Sequence, residues 1–128
     1  MKNEKPIKIT KKYIKKRFGI AWKLHSKFVR ERDSGICISC GIKDEPKNMN
    51  AGHFIHKSLD LDLMNINTQC VRCNKWLHGN LGMYCFNLIK KYGMEAVEDL
   101  IKRANEFKGY SIEEIEEVIK KYGGKKCS

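Results

Sequence analysis

The sequence predicts a small α+β fold, mainly helical, with a metal-clasped core and helices on its N- and C-terminal sides. Three observations lead there. Apolar residues recur at helical spacing from Phe18 to Val29 and again from Met83 to Tyr122. Between these stretches, two short segments alternate apolar and polar residues, as half-buried strands do. Two Cys-x-x-Cys pairs, Cys37/Cys40 and Cys70/Cys73, frame those segments. The 128 residues suit one domain, and 41% hydrophobic with 32% charged residues is a globular composition. No apolar run approaches the roughly 18 residues of a transmembrane helix. The N-terminus lacks the apolar stretch of a signal peptide.

Residues 1–17 read as a basic arm. Phe18, Trp22, His25 and Val29 mark an amphipathic helix over 18–32, with His25 as a packed core residue, and Asp33-Ser34-Gly35 ends it. Residues 42–49 form a polar loop, 49–56 a first strand, and 63–69 a second strand running into Cys70. Asn74–His78 reads as a short helix closed by Gly79 and Asn80, which both tolerate left-handed backbone. A helix over 81–92 carries Met83, Phe86 and Ile89 as one apolar row and stops at Gly93. The next, over 94–107, carries Met94, Val97, Ile101 and Ala104. Ser111-Ile-Glu-Glu114 is a capping box before Ile115, Val118, Ile119 and Tyr122, with Gly123 as the stop. Acidic residues open this last helix and Lys120-Lys121 close it, as the helix dipole favours. The organisation expected is an arm over 1–17, a central domain over 18–107, and a C-terminal helix and tail over 108–128.

Without a signal peptide the expected compartment is reducing, which disfavours disulfides. Four thiolates suit tetrahedral Zn²⁺, and a two-residue gap lets both sulfurs of a pair reach one ion. Gly41 supplies the sharp turn of the first knuckle. The 29 residues between the pairs exceed the roughly 15–20 of a zinc ribbon, so a structured insert separates the knuckles. Cys85 reads as a small apolar helix residue and Cys127 as a bystander near the terminus.

The formal charge of +11 is uneven: residues 1–32 hold twelve Lys/Arg against two Glu, whereas residues 94–128 hold seven against eight acidic residues. Such asymmetry points to a polyanion, with nucleic acid first. Lys11, Lys12, Lys15, Lys16 and Arg17 are the candidate phosphate contacts of the arm. Lys57, Arg72 and Lys75 flank the knuckles and suit sequence-independent positioning of a phosphate backbone. No lipidation motif or long amphipathic apolar face supports a membrane partner.

Polar residues crowd the segment where a small protein would place its core. His53 and His56 lie on the first strand, Asn65 precedes Cys70, Asn74 follows Cys73, and His78 comes four residues later. On a helix Asn74 and His78 share a face and can address one divalent ion through oxygen and nitrogen. Singly, each has an ordinary structural role: capping for Asn74, surface for His78, a strand-end turn for Asn65. Their joint placement around the cysteine pairs is what points to a site.

The pattern Cys37-x2-Cys40, Ala51-Gly52-His53-Phe54, Asn65, Gln69-Cys70-x2-Cys73-Asn74 and Gly79-Asn80, followed by Tyr84 and Leu88, resembles the phage lambda NinG, or Rap, family from about Trp22 to Leu100. The same segment is similar to the HNH, or His-Me finger, nucleases, including recombination endonuclease VII. The resemblance implies a ββα-metal core, in which a hairpin and a helix clasp one divalent ion. It implies a structure-specific endonuclease acting on branched recombination intermediates such as Holliday junctions and D-loops. Such a protein would be phage- or prophage-encoded and would work in the cytoplasm of the bacterial host, on DNA and alongside phage recombination proteins. By this resemblance His53 is the general base, Asn65 holds the hairpin loop and orients the base, Asn74 is a metal ligand, and His78 is a second one. Many members carry an acidic or His ligand immediately before the base, where this chain has Gly52. Either water completes the shell, or Asp60, Asp62 or His56 substitutes. His56, at an odd spacing from His53, falls on the opposite face of a regular strand, and phosphate contact is its other reading.

Phosphodiester hydrolysis needs an activated water, in-line geometry and neutralisation of developing charge. Histidine ordinarily titrates near 6.5, so a neutral imidazole can take the water proton at physiological pH. Mg²⁺ or Mn²⁺ can stabilise the scissile phosphate and the leaving oxygen. Zinc closed by four cysteines has no open position for this chemistry. Trp76 reads as packed beneath its helix, with base stacking as the lesser alternative. The competing function is a non-catalytic zinc-containing DNA-binding recombination accessory protein, which needs the cysteines and the arm but not His53 or Asn74. A structural or RNA-binding zinc protein is a third reading. A two-fold branched substrate would suit a homodimer.

Overall fold

Thr10 accepts a hydrogen bond from the Tyr13 backbone N–H and caps a first helix, α1, over Lys11–Arg32. In the computed structural model, which describes residues 8–123, this helix starts seven residues before the expected Phe18. Residues 11–17 are thus helix rather than arm. Lysine is a good helix former, and Ile14 and Phe18 extend the apolar stripe that packs on the last helix. The expectations for residues 1–7 and Cys127 lie outside the described residues. α1 buries Ala21, His25 and Val29, and ends at Asp33. Ser34 and Gly35 follow in left-handed conformation, and a Cβ at Gly35 would overlap the Asp44 carbonyl oxygen.

Strands β1 (Asn50–His53) and β2 (Ile66–Gln69) form an antiparallel pair, with Asn50 opposite Gln69 and His53 opposite Ile66. Both are shorter than the expected segments. All of β2 is buried although Asn67, Thr68 and Gln69 are polar. Buried polar groups need partners. Thr68 Oγ1 donates to the Val29 carbonyl of α1, and Asn67 Nδ2 donates to the Tyr84 hydroxyl. Asn67 Oδ1 accepts from Arg32, whose guanidinium also reaches Asp33 and the Leu63 carbonyl. Burial by itself would raise Asp33, but Arg32 and the Thr68 N–H hold its carboxyl below the usual range.

A single π-turn spans Arg72–Trp76. The helices α2 (Leu81–Tyr92), α3 (Met94–Glu106) and α4 (Ile112–Gly123) fall within one residue of expectation. Their buried faces differ. α2 buries Tyr84 and Leu88, leaving Met83 and Phe86 exposed, because Tyr84 is the residue that reaches both strands. α3 buries Leu100 with Val97 and Ala104, leaving Met94 and Ile101 outside. Phe54 and Leu59 of the hairpin loop join these α2 and α3 residues in one core. Ala21, Leu61 and Ile115 form a second core between α1 and α4. Ser111 and Glu114 exchange the two hydrogen bonds of a capping box at 2.8 and 3.1 Å. The result is a small, mainly helical α+β fold with a two-stranded sheet. Among the described residues no helix is long and apolar enough to cross a membrane.

Candidate metal centre and histidine site

The first cysteine knuckle is closed by a bridge between Ile36 and Lys43, with Gly41 at φ +82°. The Ile38 N–H donates to the Thr68 carbonyl and ties this knuckle to β2, whose end delivers Cys70. The sulfurs of Cys37, Cys40, Cys70 and Cys73 all lie within 4.8 Å of one another, with Cys40 and Cys70 at 3.7 Å. Four thiolates at about 2.3 Å from a tetrahedral zinc would stand about 3.8 Å apart. The cluster is therefore compatible with a structural zinc site. The backbone N–H groups of Cys40 and Cys73 point at the sulfurs of Cys37 and Cys70, at 3.5 and 3.4 Å. Asn80 Nδ2 donates to Cys73 Sγ at 3.5 Å. Such donors favour thiolates over thiols. Burial pushes the Cys73 thiol up to about 12, an effect that a coordinating dication reverses.

His53 ends β1. Its Nε2 lies 2.7 Å from Asp60 Oδ1, and its ring stacks on Trp22 of α1 with centroids 5.3 Å apart. The side chain stays 22% accessible. Behind it, fully buried Asn65 donates through Nδ2 to the carbonyls of Ile55, Ser58 and Leu59, and accepts from the Ile55 N–H. One amide thus pins the loop between His53 and Asp60. The Tyr84 hydroxyl donates to the Gly52 carbonyl at 2.7 Å and so pegs β1 from below.

At Gly52, a Cβ would overlap Gln69 Oε1 and would lie 3.1 Å from Asn74 Oδ1. Gln69 Nε2 donates to the Gly79 carbonyl and Ser39 Oγ, which leaves its buried Oε1 with no donor. Two amide oxygens, Gln69 Oε1 and Asn74 Oδ1, therefore lie beside Gly52. Asp62 is committed elsewhere, accepting from the Met64 and Asn65 N–H groups and from Arg103. Asp60 faces His53. His56 stacks beside His53 at 6.0 Å, because regular strand ends at His53 and strand alternation no longer governs it.

Asn74 and His78 do not share a helical face. The π-turn ends at Trp76, the Gly79 N–H bonds back to the Cys73 carbonyl, and His78, Gly79 and Asn80 are all left-handed. Lys11, Lys12, Lys15 and Lys16 are exposed on α1, and Lys57, Arg72 and Lys75 on the hairpin loop and π-turn. Arg17 differs from these lysines in being paired within the fold: its guanidinium donates to both carboxylate oxygens of Glu116 of α4, at 2.6 and 2.7 Å. Trp76 is exposed rather than packed.

The family model of the bacteriophage lambda NinG protein matches residues 1–127. The chain belongs to the NinG family. The NinG protein of Escherichia phage 933W is 37% identical over 100 residues, covering 74% of this chain and 49% of that protein. The phage lambda protein is 36% identical over 100 residues, covering 74% and 48%. The Salmonella phage P22 protein is 40% identical over 78 residues, covering 57% and 38%. The chain spans about half the length of the curated NinG relatives it matches. No solved structure matches it. Within this NinG chain, sequence reasoning missed three residues around the histidine. Trp22 was legible only as a core position, Tyr84 only as part of a pattern, and Asp60 only as an alternative ligand. No periodicity marks a side chain that acts across a loop.

Proposed function

We propose that this NinG-family chain is a metal-dependent endonuclease for branched DNA, with His53 as general base. The observation that supports it most is the accessible imidazole of His53, paired with Asp60 across a loop that Asn65 pins. With Nε2–H donated to Asp60, Nδ1 carries the lone pair, and among the described residues it has no protein partner. It can take a proton from water. Asn65 and Tyr84 fix the loop and strand that carry the base, and Trp22 limits rotation of its ring. Asn74 Oδ1 and Gln69 Oε1 are hard oxygen donors of the kind that suit Mg²⁺ or Mn²⁺. When bound there, such an ion supplies charge neutralisation at the phosphate and the leaving oxygen. His78 is left out of this ligand set.

In the same reading the four cysteines hold one structural Zn²⁺, and the exposed lysines of α1 with Lys57, Arg72 and Lys75 hold phosphates. The protein works on DNA in the host cytoplasm, as a homodimer on two-fold junctions. Gly52, in the place of a ligand, favours the second reading, a non-catalytic DNA-binding accessory protein. A nicking assay decides between them. A labelled four-way junction and a linear duplex of equal length are incubated with Mg²⁺ or Mn²⁺. The junction should be cut faster, and His53→Ala should lower the rate by about 10²–10⁴-fold with binding retained. Binding of junctions by the wild-type protein with no cutting would establish the accessory reading.

A further inference from the structure

Trp76 is 75% exposed, the highest value among the large apolar side chains of the described residues. A packed tryptophan removes on the order of 200 Å² from water, so a small domain forgoes a large gain by leaving it outside. The local backbone dictates this. The π-turn starts at Arg72, is anchored by buried Cys73 and closes through the Leu77 N–H to the Arg72 carbonyl, while the indole stays in solvent. Arg72 and Lys75 lie on the same turn and are exposed. Residues 63–94 contain four Lys/Arg and no Asp or Glu.

The turn and the residues that follow it lie beside the histidine site. Asn74 abuts Gly52, next to His53, and a Cβ at Gly79 would lie 3.7 Å from His56 Nε2. Three Cα steps of 3.8 Å keep Trp76 within about 11 Å of Gly79, a span of a few nucleotides at 3.4 Å each.

We propose that Trp76 is a stacking platform for an unpaired nucleobase, with Arg72 and Lys75 holding the phosphates on either side. An aromatic face among cations, with no carboxylate in that stretch of chain, is complementary to single-stranded nucleic acid. In an intact duplex each base face is already covered by its neighbours, so the platform has nothing to stack on. At a branch, gap or bulge a face is free. Trp76 then confers preference for interrupted over continuous duplex. This rests on DNA being the ligand and not on His53 cutting it.

The test uses the full chain with no added divalent cation and two labelled probes, a linear duplex and the same duplex with a short single-stranded gap. Trp76→Ala should weaken binding to the gapped probe by about tenfold or more and change duplex binding by less than about twofold. Trp76→Phe should keep most of the preference. Wild-type tryptophan emission should be quenched by the gapped probe but not by the duplex, and Trp76→Phe, which retains Trp22, gives the background. An unchanged thermal midpoint verifies that Trp76→Ala is folded. Equal loss on both probes, or no loss on either, overturns the proposal. So does a variant that binds DNA normally but loses self-association, which would make the ring a protein contact. Wild-type protein that shows the Trp76-dependent preference but never cuts would sink the nuclease reading alone.

Discussion

His53 Nε2 lies 2.7 Å from a carboxylate oxygen of Asp60, seven residues away across the loop that Asn65 pins. A histidine held through one nitrogen presents the other in a fixed direction. Asp60→Asn should lower the nicking rate by about 10–100-fold, the usual cost of losing an orienting partner. The thermal midpoint should hardly move, because the Asp60 side chain is one-third accessible. Rate measurements beside a melting curve test this; an unchanged rate would remove Asp60 from the site.

The cysteine cluster predicts about one tightly bound zinc per chain, measurable by elemental analysis. Binding of structural zinc is worth on the order of 10–16 kcal/mol in finger peptides, and the two cores here are small. Cys70→Ser should lower the thermal midpoint by roughly 10 °C or more. A verified zinc-free sample with its midpoint intact would show that the cysteines are not a clasp.

The three C-terminal helices and the clustering of the four cysteines were legible because each has a local signature. Capping by Ser111 and Glu114, the stop at Gly93 and the paired cysteine spacings need no knowledge of the rest of the chain. β2 was harder, since Asn67, Thr68 and Gln69 are buried by hydrogen bonds to distant residues rather than by hydrophobicity. The π-turn was illegible, because a widened turn places Asn74, Trp76 and His78 in directions that 3.6-residue periodicity does not describe. The buried face of α2 departs from the apolar row of Met83 and Phe86 because the Tyr84 hydroxyl bonds to both strands, which hydropathy does not register.

His25 predicts a pH dependence of stability. It is buried with neither ring nitrogen partnered, and burial, with Arg32 nearby, pushes its pKa down to about 4. His53 and Lys121 act in the same direction, and Asp62 opposes them. Between about 6.5 and 4 the unfolded chain binds a proton that the folded chain refuses, so stability falls as pH falls through that window. The loss amounts to about 3 kcal/mol at most. His25→Phe should remove it. Denaturation of both proteins at neutral and mildly acidic pH isolates the effect as a difference, even if the cysteine site is itself acid-labile. Parallel pH curves would mean that His25 carries no such penalty.

Lys11, Lys12, Lys15 and Lys16 are exposed on α1. Replacing them with Gln should reduce the slope of log K against log salt by about 0.9 for each phosphate they contact on duplex DNA. Arg17→Gln should act differently: it breaks the contact with Glu116 and lowers stability, with little change in that slope. A slope unaffected by the four lysine replacements would place the DNA elsewhere.

Gln69 Oε1 fills the volume that a side chain at position 52 would need. A side chain at position 52 therefore requires the Gln69 amide to move. Gly52→Asp alone should be a dead end, because the new carboxylate meets a buried amide oxygen held in place by Gly79 and Ser39. Gly52→Asp with Gln69→Ala opens the space and should fold with a midpoint closer to wild type. Across the NinG family, residue 52 should gain a side chain only where residue 69 has shortened, so a change at one position predicts the other in any newly sequenced phage.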